Sequence, residues 1–155
     1  MTIKLYLMRH GDAVMHASSD AARSLSSIGK AQVARAADHL RASAPDVFWA
    51  SPYLRAQETA QIIKQEAGID TGIVTQSGIT PDDNPRQVVS MLTHLEAQER
   101  ILMISHNPLV TALVNLLVEG QFHGPHGMAT ASIALIEFEV IETGLGELQW
   151  IKHTN

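Results

Sequence analysis

Arginine and histidine, two side chains suited to binding phosphoryl groups, occur at three junctions of this sequence. Arg9 and His10 follow the apolar segment "IKLYLM", Arg55 lies within "SPYLRAQETA", and His106 follows "RILMIS". Guanidinium groups pair with phosphoryl oxygens through two parallel hydrogen bonds and stay charged at any physiological pH. Two guanidiniums and two imidazoles in one pocket would select anions strongly, and phosphoryl groups are the natural ligand.

Taken singly, each of these residues has an ordinary structural interpretation. A lone histidine, or an arginine after a strand, is more often a surface or capping group, and "SPYLR" and "SHNP" are typical of helix starts. In open α/β sheets, however, ligands bind beyond the carboxyl ends of the strands, and all three junctions are predicted to fall there. Gly11 follows His10 and predicts either a close approach of the backbone to the ligand or an unusual dihedral angle.

The elements that position these residues follow a regular pattern, because short β-rich segments alternate along the chain with helical ones. This alternation is typical of βαβ units and predicts an α/β fold with a mainly parallel sheet. Strands are predicted at residues 3–8, 47–50, 73–76, 100–105, 130–141 and 146–151. Helices are predicted at residues 27–43, 52–67, 85–98 and 108–119.

Prolines and glycines mark where the predicted helices begin and end. Ser51 is predicted as an N-cap with Pro52 as the first helical residue, and Gly68 ends the same helix. Asn84 and Pro85 repeat this start in the next unit. A capping oxygen satisfies a free backbone N–H of the first turn, whereas proline has no N–H to satisfy.

Length, charge and cysteine content restrict the class of protein. The 155 residues are predicted to form a single domain, residues 1–155, with neither repeats nor a linker. A net charge of -5 argues against a nucleic-acid or membrane partner, because both need a basic face. The chain has no cysteine and no recognisable secretory signal, which favours a cytoplasmic protein, and a monomer is expected.

Three motifs in this order carry a family resemblance: "LMRHG", "SPYLRAQETA" and "ISHNP". The sequence resembles the histidine phosphatase superfamily, which includes the phosphoglycerate mutases. The segment "RHGDA", followed by "SDAARSLSSIGKAQ", and the short chain without the insertions of the mutases are similar to SixA-type phosphohistidine phosphatases. The resemblance implies a three-layer α/β/α fold of the phosphoglycerate mutase type, with helices on both faces of the sheet.

The resemblance also implies roles for individual residues. His10 is the expected catalytic nucleophile, Arg9 and Arg55 are expected to bind the phosphate, and His106 is the second catalytic histidine, protonated on contact with phosphate. Phosphoryl transfer to His10, followed by hydrolysis of phospho-His10, needs neither a metal nor a cofactor. The predicted class is therefore a metal-independent phosphatase.

A dedicated acid for the leaving group is not evident. Superfamily members that cleave alkyl phosphates normally supply a carboxylic acid from the segment after the third strand, which is "SGITPDDNPRQ" here. Asp82 and Asp83 are either that acid or part of the start of the next helix, where carboxylates cap the helix and interact favourably with its dipole. Asp12 is a third candidate, which could equally orient or neutralise Arg9 and His10.

These observations favour a substrate whose leaving group needs little help. A phosphohistidine departs as neutral imidazole when its other nitrogen is protonated. The predicted function is hydrolysis of a phosphohistidine on a protein partner, by resemblance a histidine-phosphotransfer protein or domain of a two-component relay. The alternative is a small-molecule phosphoester phosphatase with Asp82 or Asp83 as general acid. A module that only binds phosphorylated partners is disfavoured because the expected nucleophile is intact.

Four further residues are candidates with less specific signals. Arg23 in "DAARSLSS" either touches the phosphate or the partner, or is a solvated loop cation. Asn107, which follows the second histidine, is predicted to bind substrate. His123 and His126 in "FHGPHG" suggest a metal site through their close spacing. Without nearby carboxylates or cysteines, a glycine-proline loop is favoured over a metal site, and no cofactor is predicted.

Overall fold

The computed structural model describes residues 2–95 and 100–154, in which six strands form one mixed sheet flanked by four helices. The strands are β1 (Ile3–Arg9), β2 (Val47–Ala50), β3 (Ile73–Thr75), β4 (Arg100–Ser105), β5 (Ile133–Phe138) and β6 (Glu147–Lys152). The helices are α1 (Ser27–Ala36), α2 (Leu54–Ala67), α3 (Pro85–Thr93) and α4 (Leu109–Glu119). Two short 3-10 turns, Asp20–Ala22 and Ala37–Leu40, precede and follow α1.

The sheet has the strand order β3-β2-β4-β1-β5-β6. The pairs β1–β4, β2–β4 and β2–β3 are parallel, whereas β5 and β6 are antiparallel additions at one edge. The predicted mainly parallel sheet is therefore confirmed. Because β1 leads into α1 and β4 leads into α4, on opposite faces of the sheet, the carboxyl ends of β1 and β4 form a topological switch point, where α/β folds bind ligands.

Alternating side chains of the strands divide the core into two layers, since successive residues of a strand point to opposite faces. Leu5 and Leu7 of β1 pack with α3 and α4, whereas Tyr6 and Met8 pack with α1 and α2. A strand covered on both faces has no solvent side, which explains why β1 is a nearly continuous apolar segment. The predicted three-layer architecture, with helices on both faces, is confirmed.

Small side chains bring α2 close to the sheet. Ala56, Ala60 and Ile63 are fully buried in the same core layer as Phe48 of β2 and Leu102 of β4. Alanines at such a contact let the helix backbone approach the strands more closely than large side chains would. The start of α2 is thereby held at the carboxyl ends of the strands.

The start of α2 differs from the prediction. The helix begins at Leu54 rather than Pro52, with Tyr53 at the N-cap position. Ser51 does not cap the helix: its Oγ accepts a hydrogen bond from the Tyr53 N–H at 3.3 Å and contacts His106. The prediction of Ser51 as N-cap is wrong because its hydroxyl is engaged with a residue that arrives from β4.

α1 and α3 are shorter than their predicted helices. The pattern over residues 27–43 gives α1 and then tightens into the turn Ala37–Leu40, as is common at helix ends. Residues 96–98, the predicted end of the helix after Asn84, lie outside the described residues. Asn84 caps α3 as predicted, because its Oδ1 accepts the Arg86 N–H at 2.9 Å. Within the described ranges, none of the helices is long and apolar enough to cross a membrane.

Candidate active site

The register of the parallel strands brings the predicted junctions together. Arg9 at the end of β1 pairs with Ser105 at the end of β4. His10 and His106 therefore leave adjacent strands side by side, with ring centroids 5.1 Å apart. The backbone continues this pairing, since the His10 N–H donates to Ser105 O at 3.0 Å. Residues distant in sequence thus meet at one edge of the sheet, as predicted.

His10 is held in one tautomer. Its Nδ1–H donates to the carbonyl of Gly11 at 2.7 Å, which leaves the lone pair on Nε2. Arg55 Nε–H points at that lone pair from 3.3 Å. Burial, assisted by the charges of Arg55 and Arg9, lowers the pKa of His10 to about 4. The ring is therefore neutral at physiological pH, with Nε2 able to attack an electrophile.

His106 is fully buried beside His10. Burial, followed by repulsion from His10 and Arg55, lowers the pKa of His106 to about 3. Its Nε2 lies 2.7 Å from Ser51 Oγ, and its Nδ1 has no hydrogen-bond partner among the described residues. The Ser51 hydroxyl has one proton and two lone pairs, so it can accept the Tyr53 N–H and either donate to His106 Nε2 or accept from it; in the first arrangement the His106 proton is on Nδ1. Burial therefore favours the neutral form of His106 in the absence of phosphate, whereas the protonated form was expected on contact with phosphate.

One face of α2 carries the groups that reach the strand ends. Arg55 lies in its first turn and is 4% exposed. Thr59, one turn later, accepts the Gly11 N–H at 3.3 Å and donates to Arg55 O at 2.7 Å. Glu58 accepts the Leu25 N–H at 2.8 Å. Because residues three and four apart share a helix face, α2 fixes Arg55 and the loop after β1 together.

Arg9 is held by the loop that precedes β5. Its Nη1 donates to Met128 O at 3.2 Å, and its Nε is buried with no partner in the part of the chain that is described. Burial and the neighbouring Arg55 lower the pKa of Arg9, but a guanidinium remains charged at neutral pH. Asn107 Nδ2 donates to the same Met128 carbonyl at 2.9 Å. Asn107, a predicted substrate ligand, therefore has its amide nitrogen engaged in holding this loop.

Asn115 fastens that loop to α4. The Asn115 side-chain amide donates to Thr111 O and to His126 O at 2.9 Å each, and its Oδ1 accepts the His126 N–H at 3.2 Å. A Cβ on Gly124 would lie 2.3 Å from Asn115 Oδ1, so a side chain there would displace the Asn115 amide from its hydrogen bonds. The position of Met128 O against Arg9 thus depends on the anchoring of the loop by Asn115.

A close contact between two glycines sets the position of the loop after β1. A Cβ on Gly11 would lie 2.7 Å from Gly29 O and from Val33 Cγ2, and a Cβ on Gly29 would lie 1.9 Å from Asp12 O. The φ angle of Gly11 is not left-handed. The predicted unusual dihedral at Gly11 is therefore wrong, and α1 approaches this residue closely, whereas the close approach of its backbone to a ligand stays a prediction. Asp12 Oδ2 accepts the Ser26 hydroxyl at 2.6 Å, at the N-cap of α1.

Asp20 joins two arginines at the rim of the site. Its carbonyl accepts Arg55 Nη1 at 2.7 Å, and its carboxylate accepts Arg55 Nη2 at 3.2 Å and Arg23 Nη1 at 2.9 Å. The hydrogen bond from Arg23 is the main cause that lowers the pKa of Asp20. Arg23 Nε also donates to Val14 O at 2.7 Å. The carboxylate of Asp20 therefore bridges Arg23 and Arg55.

The two carboxylates after β3 have contacts of their own. Asp83 Oδ2 accepts the Thr80 N–H at 2.7 Å and the Thr80 hydroxyl at 2.6 Å, which closes the turn before α3. Asp82 lines an open groove. In the described ranges neither carboxylate has a hydrogen bond or ion pair with His10 or Arg55. The prediction that these acids cap α3 is wrong, because Asn84 supplies the cap.

Comparison with known proteins agrees with this arrangement. The model of the histidine phosphatase superfamily (branch 1) matches residues 5–80 of the chain. Phosphohistidine phosphatase SixA of Escherichia coli (strain K12) is 30% identical over 152 residues, which cover 96% of this chain and 92% of that protein. The chain belongs to the histidine phosphatase superfamily.

One further relative and one solved structure are also similar to this chain. A SixA homolog of Haemophilus influenzae (strain ATCC 51907 / DSM 11121 / KW20 / Rd) is 32% identical over 123 residues, covering 72% of this chain and 75% of that protein. A solved structure of the protein histidine phosphatase SixA complexed with tungstate has a TM-score of 0.87 at 28% identity, covering 98% of this chain and 97% of that one. The predicted family, the fold and the enzyme class, a phosphatase with a histidine nucleophile, are confirmed, whereas the roles of individual residues stay predictions.

An open groove of about 720 Å³ lies at the start of α4 in this histidine phosphatase. Asn107 and Pro108, which follow His106, form part of its wall, and Leu109 and Phe122 contribute apolar surface. His10 is not part of the groove lining. The groove is therefore distinct from the histidine pair, although its wall includes the two residues that follow His106 in the sequence.

The two histidines of the "FHGPHG" segment have different surroundings in this superfamily member. His126 Nε2 lies 3.0 Å from Glu119 Oε1, so the expectation that no carboxylate is nearby is wrong. His123 lines the groove instead. Across residues 2–95 and 100–154, no three histidine, aspartate or glutamate side chains are grouped so that they could hold a metal ion.

Several residues that contact the site were not predicted from the sequence. Asp20 precedes Arg23 by three residues, a spacing at which opposite charges pair on a helical turn, and this spacing was a usable signal. Thr59 lies four residues after Arg55, on the same face of α2. Met128 contributes only its main-chain carbonyl, so its side-chain type carries no signal.

Proposed function

We propose that this chain is a phosphohistidine phosphatase that hydrolyses a phosphohistidine on a protein partner through a phospho-His10 intermediate. The proposed partner is a histidine-phosphotransfer protein or domain in the cytoplasm. The reaction would be carried out by one domain, residues 1–155, acting as a monomer without metal or cofactor. The homology to phosphohistidine phosphatase SixA supports phosphohistidine as the substrate.

The tautomer of His10 is the observation that carries this proposal. With Nδ1–H bonded to the Gly11 carbonyl, Nε2 presents a lone pair. In-line attack of Nε2 on phosphorus forms a new P–N bond and breaks the P–N bond to the partner's imidazole. Water then attacks the phosphorus of phospho-His10 and releases inorganic phosphate. The Gly11 carbonyl accepts the same Nδ1–H before and after both transfers, so the ring need not rotate.

Two buried nitrogens without hydrogen-bond partners support a phosphoryl ligand. Among the described residues, the buried side-chain nitrogens that lack a hydrogen-bond partner are Arg9 Nε and His106 Nδ1. A buried donor without an acceptor costs about 1–3 kcal/mol. Phosphoryl oxygens would supply acceptors to Arg9 Nε and Arg55 Nε and, in the tautomer with its proton on Nδ1, to His106. Fixed donors of this kind stabilise the charge on the oxygens of a phosphoryl group during transfer.

The contacts of the candidate acids support a phosphoramidate over an alkyl phosphate. Asp83 is bonded to Thr80, and Asp12 is bonded to Ser26. An alkoxide leaves poorly unless an acid protonates it, whereas imidazole leaves as a neutral molecule once its second nitrogen carries a proton. A phosphohistidine therefore suits a site in which Asp83 and Asp12 are engaged elsewhere, whereas Asp82, which lines the groove, is the candidate acid of the phosphoester alternative.

The groove at the start of α4 supports a macromolecular substrate. It adjoins Asn107 and Pro108 and has apolar walls that include Phe122. A protein that presents a phosphohistidine must also bring the surrounding surface against the enzyme. An apolar groove whose wall includes the residues that follow His106 in the sequence offers area for that contact.

Phosphate release from a phosphorylated histidine-phosphotransfer protein tests the proposal. His10→Ala should reduce the rate by about 1,000-fold or more, since the nucleophile is lost. His94→Ala is the matched control, because His94 is an exposed histidine at the end of α3. The wild-type protein, quenched during turnover, should carry an acid-labile phosphoryl group on His10.

Two outcomes would count against the proposal. Full activity of His10→Ala would refute the nucleophile assignment. Faster hydrolysis of alkyl phosphates than of the phosphohistidine protein, together with loss of that activity in Asp82→Asn or Asp83→Asn, would establish the phosphoester alternative instead.

A further inference from the structure

An ionised carboxylate is bound to the arginines of the proposed phosphoryl site. Arg55 Nη2 donates to Asp20 Oδ2 at 3.2 Å, and Arg23 Nη1 donates to Asp20 Oδ1 at 2.9 Å. These bonds keep the pKa of Asp20 below its usual range, so the carboxyl is negative at neutral pH. Two guanidiniums at the site therefore already have an anionic partner.

The edge of Arg55 that holds this carboxylate also faces the reactive nitrogen of His10. Arg55 Nε points at His10 Nε2 from 3.3 Å, and Nη2 lies on the same edge of the guanidinium as Nε–H. The Nε–H and Nη2–H pair forms a fork that matches two oxygens of a phosphoryl group. A phosphoryl group at His10 Nε2 would bring its oxygens to this fork. In this structure Asp20 Oδ2 accepts a hydrogen bond from Arg55 Nη2, which is one of the two donors of the fork.

The two contacts between Asp20 and Arg55 differ in how readily they can be broken. The main-chain carbonyl of Asp20 accepts Arg55 Nη1 at 2.7 Å, which anchors the guanidinium through the backbone. The carboxylate contact is longer, and the Asp20 side chain is 55% exposed against 5% for Arg55. The carboxylate can therefore turn towards solvent while the backbone contact keeps Arg55 in position.

We propose that Asp20 is a resident anion that competes with the phosphoryl group for Arg55 and Arg23 and thereby sets the phosphate affinity of the site. The inference rests on the proposed phosphoryl chemistry of His10. When phosphoryl oxygens take the Arg55 fork, the carboxylate leaves it, and Arg23 becomes available to the same group. When hydrolysis is complete, the returning carboxylate helps to release inorganic phosphate, which the guanidiniums would otherwise retain.

Calorimetric titration with inorganic phosphate at fixed ionic strength tests this competition. Asp20→Asn keeps an oxygen of nearly the same shape and removes the charge, so phosphate should bind about tenfold more tightly than to the wild type. Asp20→Ala should shift the affinity in the same direction. Asp38→Asn is the matched control, because Asp38 forms an exposed i,i+3 pair with Arg41 at 2.9 Å. This control should bind phosphate as the wild type does.

The sign of the change separates competition from a structural role. In steady-state hydrolysis, the inhibition constant for phosphate should fall about tenfold in Asp20→Asn, whereas a distorted site would raise it. Equal or weaker phosphate binding by both Asp20 variants would overturn the inference. If neither the wild type nor either Asp20 variant binds phosphate, the proposed phosphoryl site itself is refuted, so the two failures are distinguishable.

Discussion

Replacement of Gly29 by alanine should disrupt the loop that carries His10. Gly29 lies inside α1, where alanine is normally favoured over glycine by about 1 kcal/mol. A Cβ at this position would, however, lie 1.9 Å from Asp12 O and 2.8 Å from Asp12 N. Both atoms belong to the backbone, so no side-chain rotation relieves the overlap. The backbone at Asp12 must therefore move by roughly 1.5 Å to restore ordinary contact.

That movement breaks two hydrogen bonds of Asp12. Its N–H donates to Gln32 Oε1 at 2.9 Å, and its carbonyl accepts the Ser26 N–H at 3.0 Å. Each such bond contributes about 1 kcal/mol, and overpacking adds about 1–3 kcal/mol. After the gain in helix propensity, the free energy of unfolding should fall by about 2–4 kcal/mol, which lowers the Tm by roughly 10 °C.

Thermal unfolding monitored by circular dichroism, together with a phosphatase assay, measures this effect. Gly72→Ala is the matched control, because a Cβ on Gly72 meets nothing within 4 Å and its φ is not left-handed. The control should be neutral or slightly stabilising. A Gly29→Ala protein with wild-type Tm and activity would refute the close packing of α1 against the loop.

Two other predictions concern buried polar groups. The pKa values of His10 and His106 are lowered to about 4 and about 3, whereas an unfolded histidine titrates near 6.5. The unfolded chain therefore takes up protons first, so the free energy of unfolding, measured by urea titration, should fall by several kcal/mol from about pH 6.5 to pH 4. Constant stability over that range would contradict their neutral burial. Asn115→Ala loses three hydrogen bonds and should lower the free energy of unfolding by about 2 kcal/mol. It should also weaken phosphate binding in calorimetry, because Met128 O no longer fixes Arg9, and an unchanged affinity would show that the loop and the site are independent.

The sheet and the convergence of the basic residues could be predicted because both follow from local patterns. The apolar segments of β1 and β4 mark strands buried on both faces, and parallel strands end at the same edge. Arg9, His10 and His106 lie directly after those strands, and Arg55 lies in the first turn of the next helix. Their proximity therefore needed no knowledge of side-chain packing.

The contacts that arise from tertiary packing could not be predicted in this way. The residues "SP" at the start of a helix are compatible with Ser51 as the N-cap. The Ser51 hydroxyl instead contacts His106, which follows β4, and this contact is not visible in the local sequence. A side chain at position 11 would overlap with the backbone of Gly29 in α1. The residues next to Gly11 in the sequence do not indicate this contact. The spacing of Asp20 and Arg23 indicates their ion pair, whereas the contact of Asp20 with Arg55, 35 residues away, arises only from the fold.

The alanine face of α2 has a consequence for how relatives of this enzyme can diversify. Arg55 is rigidly attached to α2, and Ala56 and Ala60 lie buried between that helix and the strands. A larger residue at either position would lift the helix and carry the guanidinium with it. Substitutions beneath α2 could therefore retune selectivity for phosphorylated groups of different size, without altering any residue that meets the substrate.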